Sequence, residues 1–246
     1  MVSWSDGFGR RGFLGLVAAG VAVGPFARRA SAQGARLKIA TIGAGREGGA
    51  IGTILAKQGH QVMFSSRNPD GLKELVANAG PNASAGTVEQ AVAFGDVVFV
   101  VVPYTAVEQI GKDHGKALAT KRAVIDVSNP IPRRDGEDFV KTIDAQGGPG
   151  VVTAKWIPGA KIVRALNAIG SGTLAQANSK PGEKMGVPIA GEDQGAIAVA
   201  SDLIREMGYE PVLVGNLAKG TYLRPGTPLA GEHSVAEIKT IAATLK

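Results

Sequence analysis

The feature that most constrains the fold is a glycine pattern at a fixed place. The run Leu37–Ile42 is rich in apolar and β-branched residues, and it is followed at once by Gly43-Ala44-Gly45-Arg46-Glu47-Gly48. An amphipathic stretch, Glu47–Gln58, then follows. A GxGxxG run between a strand and a helix has a mechanical meaning. The first glycine makes the tight turn, the second lets backbone approach a pyrophosphate, and the third packs helix on strand. The helix N-terminus then offers unpaired N–H groups to phosphate oxygens. Position, and not the motif alone, carries the reading, because this chain has 35 glycines.

The rest of the chain repeats the same alternation. Strands are expected at Leu37–Ile42, Gln61–Ser65, Val97–Val102, Ala123–Val127, Lys161–Ala165, Val187–Ala190 and Pro211–Val214. Helices are expected at Glu47–Gln58, Gly71–Asn78, Val88–Phe94, Thr105–Ala119 and Gln194–Met207. Strands alternating with helical stretches predict βαβ units around a mostly parallel sheet. The Val97–Val102 strand is apolar on both faces, as a sheet covered by helices on both sides requires. The fold class is therefore α/β, a Rossmann-type doubly wound sheet with a small C-terminal α/β segment. Residues 33–168 are expected to form the nucleotide-binding domain and residues 169–246 a small C-terminal subdomain. Pro- and Gly-rich stretches mark loops at Asn129–Asp135, Gln146–Gly150, Ser179–Glu183 and Arg224–Pro228.

Residues 1–32 read as an address. Arg10-Arg11 precede an apolar stretch of about 15 residues, and Ala30-Ser31-Ala32 supplies the small-x-small pattern of a signal-peptidase site. The stretch is shorter than the roughly 20 residues that span a bilayer, so no stable membrane anchor is expected after cleavage. The arginine pair followed by Gly12-Phe13-Leu14 resembles the bacterial twin-arginine signal, which exports folded proteins, and implies a periplasmic or otherwise exported protein. Four arginines against Asp6 place half of the formal +6 charge in this segment. With 5% aromatic residues and no basic run interleaved with stacking side chains, the composition points away from nucleic acid. No cysteine is present, so disulfides and thiolate metal sites are excluded, no metal is expected, and redox chemistry requires a bound cofactor.

The end of the second strand selects the dinucleotide. An NAD site ordinarily places a carboxylate there to bond the ribose 2′-hydroxyl. This strand ends instead in Ser66-Arg67-Asn68, a guanidinium fork flanked by two further donors, which suits a 2′-phosphate and favours NADP(H). In such a sheet the ligand lies beyond the carboxyl ends of the strands. Three ends are therefore expected around the nicotinamide and its ribose: Val102-Pro103, Asn129-Pro130 and Asn167-Ala168. Asn129 and Asn167 can each serve as ligand contacts or as turn caps. Tyr104, just past a strand end, is the candidate proton donor, although no general acid or base stands out. His60 reads as a turn residue, His114 and His233 as helix-terminal ones, and Asp126 as the group that fixes the loop after its strand.

These segments resemble two related families. GAGREG, SSRNP, DVSNP, PGAKIVRALNAI, GVPIAGED and EMGYEPVLVGNL occur in the same order in the deazaflavin-dependent NADP oxidoreductases and in the cytosolic domain of the STEAP-type metalloreductases. The resemblance implies a Rossmann core, homodimerisation, and NADPH as hydride donor to a small-molecule electron acceptor, a flavin or deazaflavin. It assigns Gly43, Gly45, Arg46, Glu47 and Gly48 to the pyrophosphate and Ser66, Arg67 and Asn68 to the 2′-phosphate. Val102, Pro103, Asn129, Pro130, Asn167 and Ala168 would line the nicotinamide pocket. The chain departs from the pattern at Arg164-Ala165-Leu166-Asn167, where an aromatic is lost. A reductase of small carbonyls or imines, and a non-catalytic NADP-binding sensor or assembly protein, are the other readings. Hydride transfer to a flavin-like ring depends on positioning, whereas carbonyl reduction often uses a placed acid.

Overall fold

Strand β1 (Lys38–Ile42) reads KIATI, and four of its five residues are buried. In the computed structural model, which describes residues 36–176 and 184–245, it lies near the middle of an eight-stranded sheet. The expected signal segment, residues 1–32, and the loop Ser179–Glu183 lie outside the described residues. The chain continues through α1 (Arg46–Lys57), β2 (Gln61–Ser65), α2 (Lys73–Ala79), β3 (Ala83–Gly86), α3 (Val88–Phe94), β4 (Val97–Val100) and α4 (Val107–Leu118). It then forms β5 (Ala123–Asp126), α5 (Pro132–Asp135), α6 (Glu137–Ala145), α7 (Pro149–Trp156), β6 (Ile162–Ala165) and α8 (Ser171–Gln176). The last elements are β7 (Gly186–Gly191), α9 (Gln194–Glu206), β8 (Glu210–Gly215) and α10 (Val235–Thr244).

The strand order is β3-β2-β1-β4-β5-β6-β7-β8, parallel at every step except β6–β7. The order reverses direction between β1 and β4, which opens a crevice at their carboxyl ends. Residues alternate between two apolar layers because successive strand side chains point to opposite faces. Val97 and Phe99 join Ile39, Val62 and Phe64 under α1 and α9, while Val98 and Val100 join Ala40 and Ile42 under α3, α4 and α7. Each large apolar side chain buried this way contributes about 1.5–3 kcal/mol. The C-terminal segment adds β7 and β8 to the same sheet, with α10 packed over them through Val212, Leu223, Leu229 and Ile238.

Several elements differ from expectation for local reasons. Strand β3 reads ASAG, with no β-branched alternation, and is a strand because it pairs with β2. Strand β4 stops at Val100, so Val101 and Val102 turn toward the strand-end crevice. Within the expected loop Asn129–Asp135, Pro132 starts the short helix α5, and within Gln146–Gly150, Pro149 starts α7. Proline suits a first helical position because its missing N–H has no intrahelical partner there.

Candidate functional site

The glycine turn after β1 is built on three different demands. Gly43 has φ +99°, and a Cβ there would sit 2.2 Å from the Val101 carbonyl oxygen. A Cβ on Gly48 would sit 2.0 Å from the Gly43 carbonyl oxygen. Both positions therefore exclude any side chain. Gly45 differs, since a Cβ there would meet nothing within 4 Å, and the residue faces the crevice. It caps α1 with extended backbone and no side-chain bond to the helix N–H groups. The first turn of α1 thus presents open N–H donors and the positive end of its dipole to the crevice. Ala44, beside it, packs on the apolar layer below.

From this cradle a cleft of about 760 Å³ runs across the strand ends. Gly45, Arg46, Glu47 and Gly48 line it with Val102, Pro103, Asn129, Asn167 and Ala168. A second cavity of about 630 Å³ shares Val102 and Pro103 with the cleft and holds Gly43, Ser66 and Arg67. The volumes fall in the range of small-molecule sites, and the two cavities flank the glycine turn as the two halves of a dinucleotide require. Asn68 is exposed, its N–H donates to Ser66 Oγ at 3.0 Å, and it lines neither cavity. Pro130 is buried and also lines neither. His114, expected as a helix-terminal residue, lies in α4 and lines the second cavity with Gln109 and Asp113.

A buried ionic network fixes the floor of the cleft. Asp126 ends β5 and Arg164 lies in β6, and both are fully buried. Arg164 Nη1 donates to Asp126 Oδ2 at 2.8 Å and to the Ser128 carbonyl at 2.9 Å, while Nη2 donates to Asn129 Oδ1 at 2.9 Å. Asp126 also accepts from the Ser128 N–H and the Thr153 hydroxyl. Its expected role of fixing the following loop is what the structure shows. Asn129 Nδ2 donates to the Asn167 carbonyl, and Asn167 Nδ2 donates to the Asp126 and Ser128 carbonyls. Leu166, at φ +63°, holds the turn that brings Asn167 there; among the described residues other than glycine it alone is left-handed. Such conformations persist where surrounding structure imposes them, and they cluster at functional sites.

The result is a directed acceptor. With both Asn167 amide hydrogens donated, its Oδ1 is buried without a partner, so a donor on a bound molecule would satisfy it. Glu47 is similar: Oε1 accepts the Ser171 N–H at 2.7 Å, and Oε2 is buried without a partner. Burial raises the Glu47 carboxyl above its ordinary range, against the Ser171 bond and the Arg46 charge.

Tyr104 corrects the sequence reading. It is fully buried, its hydroxyl donates to the Pro149 carbonyl at 2.6 Å and pairs with Thr153 Oγ1 at 3.1 Å, and its ring packs on Phe139 and Trp156. Burial, reinforced by the Asp126 charge, pushes its hydroxyl well above the ordinary phenol range. It does not line the cleft and has no role as a proton donor there, because the 3-10 turn after Pro103 aims it inward. His60 is buried too, with Nδ1 accepting the Leu37 N–H and Nε2 against Glu206, which ties α9 to the first βαβ unit. His233 bonds the Ala230 carbonyl just before α10. Arg134, within the loop expected at Asn129–Asp135, lines the cleft as well.

A doubly wound sheet with a glycine cradle, an uncapped helix and a strand-end cleft defines the class of Rossmann-type dinucleotide-binding folds. Residues 38–130, which hold the cradle, β2 and the ends of β4 and β5, match the family described as NADP oxidoreductase, coenzyme F420-dependent. Among solved structures, the chain is similar to the hypothetical protein SMa0349 of Sinorhizobium meliloti, with TM-score 0.66 and 24% identity over 80% of this chain and 94% of that one. It is similar to an Arthrobacter sp. FB24 protein whose proposed assignment is an F420-dependent NADP reductase, with TM-score 0.65 and 21% identity over 75% and 87% of the two chains. A curated relative, the glycerol-3-phosphate dehydrogenase [NAD(P)+] of Staphylococcus epidermidis, is 24% identical over 77% of this chain. The match spans 65% of that enzyme's length.

Proposed function

We propose that the chain is an exported NADPH-dependent oxidoreductase that transfers hydride between NADP(H) and a flavin or deazaflavin-type acceptor. The observation that carries the cofactor is Arg67 with Ser66 in the cavity beside the glycine cradle, where β2 ends without a carboxylate. A 2′-phosphate there would meet a guanidinium fork, and the pyrophosphate would meet the open end of α1. The residues present fit the cofactor: Gly45 leaves room over the helix end, and Asn167 Oδ1 waits for a donor. NADPH supplies the hydride, and this chain's residues bind and orient it.

The acceptor class is supported by what lines the cleft. No histidine, lysine or tyrosine is among its described residues, which suits transfer by positioning better than carbonyl reduction with a placed acid. Export is supported by the Arg10-Arg11 signal pattern and the Ala30-Ser31-Ala32 site. Folding around nucleotide before export would stabilise the native state in transit. Homodimerisation is supported by the family resemblance and is tested by light scattering.

Calorimetry tests the reading. Arg67→Glu is expected to raise the NADPH dissociation constant at least about tenfold, roughly 1.4 kcal/mol, with little change for NADH. Equal loss for both nucleotides refutes the 2′-phosphate assignment. Oxidation of NADPH with flavin, deazaflavin, ferric chelate and carbonyl panels then identifies the acceptor; turnover with none favours a sensor. The N-terminal residue of protein recovered from the periplasm tests cleavage after Ala32.

A further inference from the structure

The cleft contains a cation that the dinucleotide reading leaves unused. Of the described residues lining it, Arg46 and Arg134 are the positively charged ones. Arg46 opens α1 at the cradle, where the pyrophosphate would lie. Arg134 stands on α5, beyond the end of β5, at the strand-end side where the nicotinamide and whatever faces it would lie.

Arg134 is held before any ligand arrives. Its Nε donates to Asp135 Oδ1 at 2.7 Å, and its Nη2 donates to Asp135 Oδ2 at 2.8 Å and to the Asn129 carbonyl at 2.6 Å. Asp135 is anchored in turn, accepting the Ile131 N–H at 2.9 Å, with its side chain 2% exposed. The Arg134 side chain as a whole is 41% exposed, and its Nη1 has no partner among the described residues. Fold-supporting bonds thus use two nitrogens and leave the third, with both of its hydrogens, for something else. A planar cation already fixed in place loses little conformational freedom on meeting an oxyanion.

We infer that Arg134 docks an oxyanion, a phosphate or carboxylate, on the second substrate, so that the acceptor is an acidic small molecule and not a neutral carbonyl or imine. The inference rests on the proposed placement of NADP(H) in the same cleft.

The test uses the protein saturated with NADP+, so that the cofactor's own phosphate sites are filled, and two probes that share a ring and differ by a phosphate: flavin mononucleotide and riboflavin. Calorimetry is expected to show flavin mononucleotide binding at least about tenfold tighter than riboflavin. Arg134→Gln is expected to erase the difference, and Arg134→Lys to keep part of it, while NADP+ affinity stays within about twofold. Displacement of flavin mononucleotide by inorganic phosphate or by acetate then assigns the oxyanion to one chemistry or the other. Equal affinity for the two probes, including no measurable binding of either, overturns the inference. So does a preference that survives Arg134→Gln, or a parallel loss of NADP+ affinity, which would move Arg134 into the cofactor site. Absence of NADP+ binding to the unmodified protein would sink the cofactor reading itself, and this inference with it.

Discussion

Replacing Arg164 by methionine asks how much of the site depends on one buried ion pair. The side chain is 0% exposed and threads between two glycines: a Cβ on Gly150 or Gly220 would come within 2.9 and 2.7 Å of its Cδ. Methionine retains most of the length and loses the charge. Asp126 would keep the Ser128 N–H and the Thr153 hydroxyl but lose its 2.8 Å cationic partner, while the Ser128 carbonyl and Asn129 Oδ1 would each lose a donor. Breaking a buried pair from one side costs about 3–5 kcal/mol because a charge stays behind uncompensated. Against a total stability of about 5–15 kcal/mol this is a large fraction. At about 2–4 °C per kcal/mol for a domain of this size, the melting temperature should fall by roughly 6–20 °C. Calorimetric and urea unfolding at neutral pH measure it. Adding Asp126→Asn should restore at least about 1 kcal/mol, because the stranded charge is then gone. A loss below about 1 kcal/mol for Arg164→Met, with no gain from the second change, would refute the argument that this pair organises the cleft floor.

Two further outcomes separate architecture from binding at the cradle. Gly45→Val should leave the melting temperature within about 2 °C, since the position has open space and ordinary φ, yet weaken NADPH at least about tenfold by filling the phosphate position. A Gly45→Val protein that binds NADPH normally would show that no phosphate lies there. Glu47→Gln keeps an acceptor for the Ser171 N–H and removes a carboxylate whose ionisation burial disfavours. Because the folded state raises that carboxyl above its ordinary value of 4.5, wild-type stability falls as pH rises through the raised value, and the glutamine variant should gain relative to it only above that range. Unfolding curves at acidic and alkaline pH measure the effect; a pH-independent difference would remove Glu47 as the titrating group.

Much of the site was legible because its signals are local. The three glycines act within six residues, and their demands are those of a single turn. The Ser66-Arg67 pair is legible because a strand end has one place in this fold. Asn129 and Asn167 were located for the same reason, although their division of labour was not. Tyr104 marks the limit: it sits one residue past Pro103, which lines the cleft, yet the intervening turn sends its hydroxyl to Pro149.

Sequence by itself determined the elements whose causes lie within a few residues: the cradle, the apolar strands, the amphipathic helices and the guanidinium at the end of β2. Tertiary structure decided what depends on distant partners. The Arg164–Asp126 bond joins residues 38 positions apart, Glu47 reaches the Ser171 N–H across 124, and His60 meets Glu206 across 146. β3 is a strand through its neighbour, and Arg134 is a cleft residue through the anchoring of Asp135. Backbone conformation is governed by near neighbours, whereas the direction of a side chain and the burial of a charge are governed by what the folded chain brings against it.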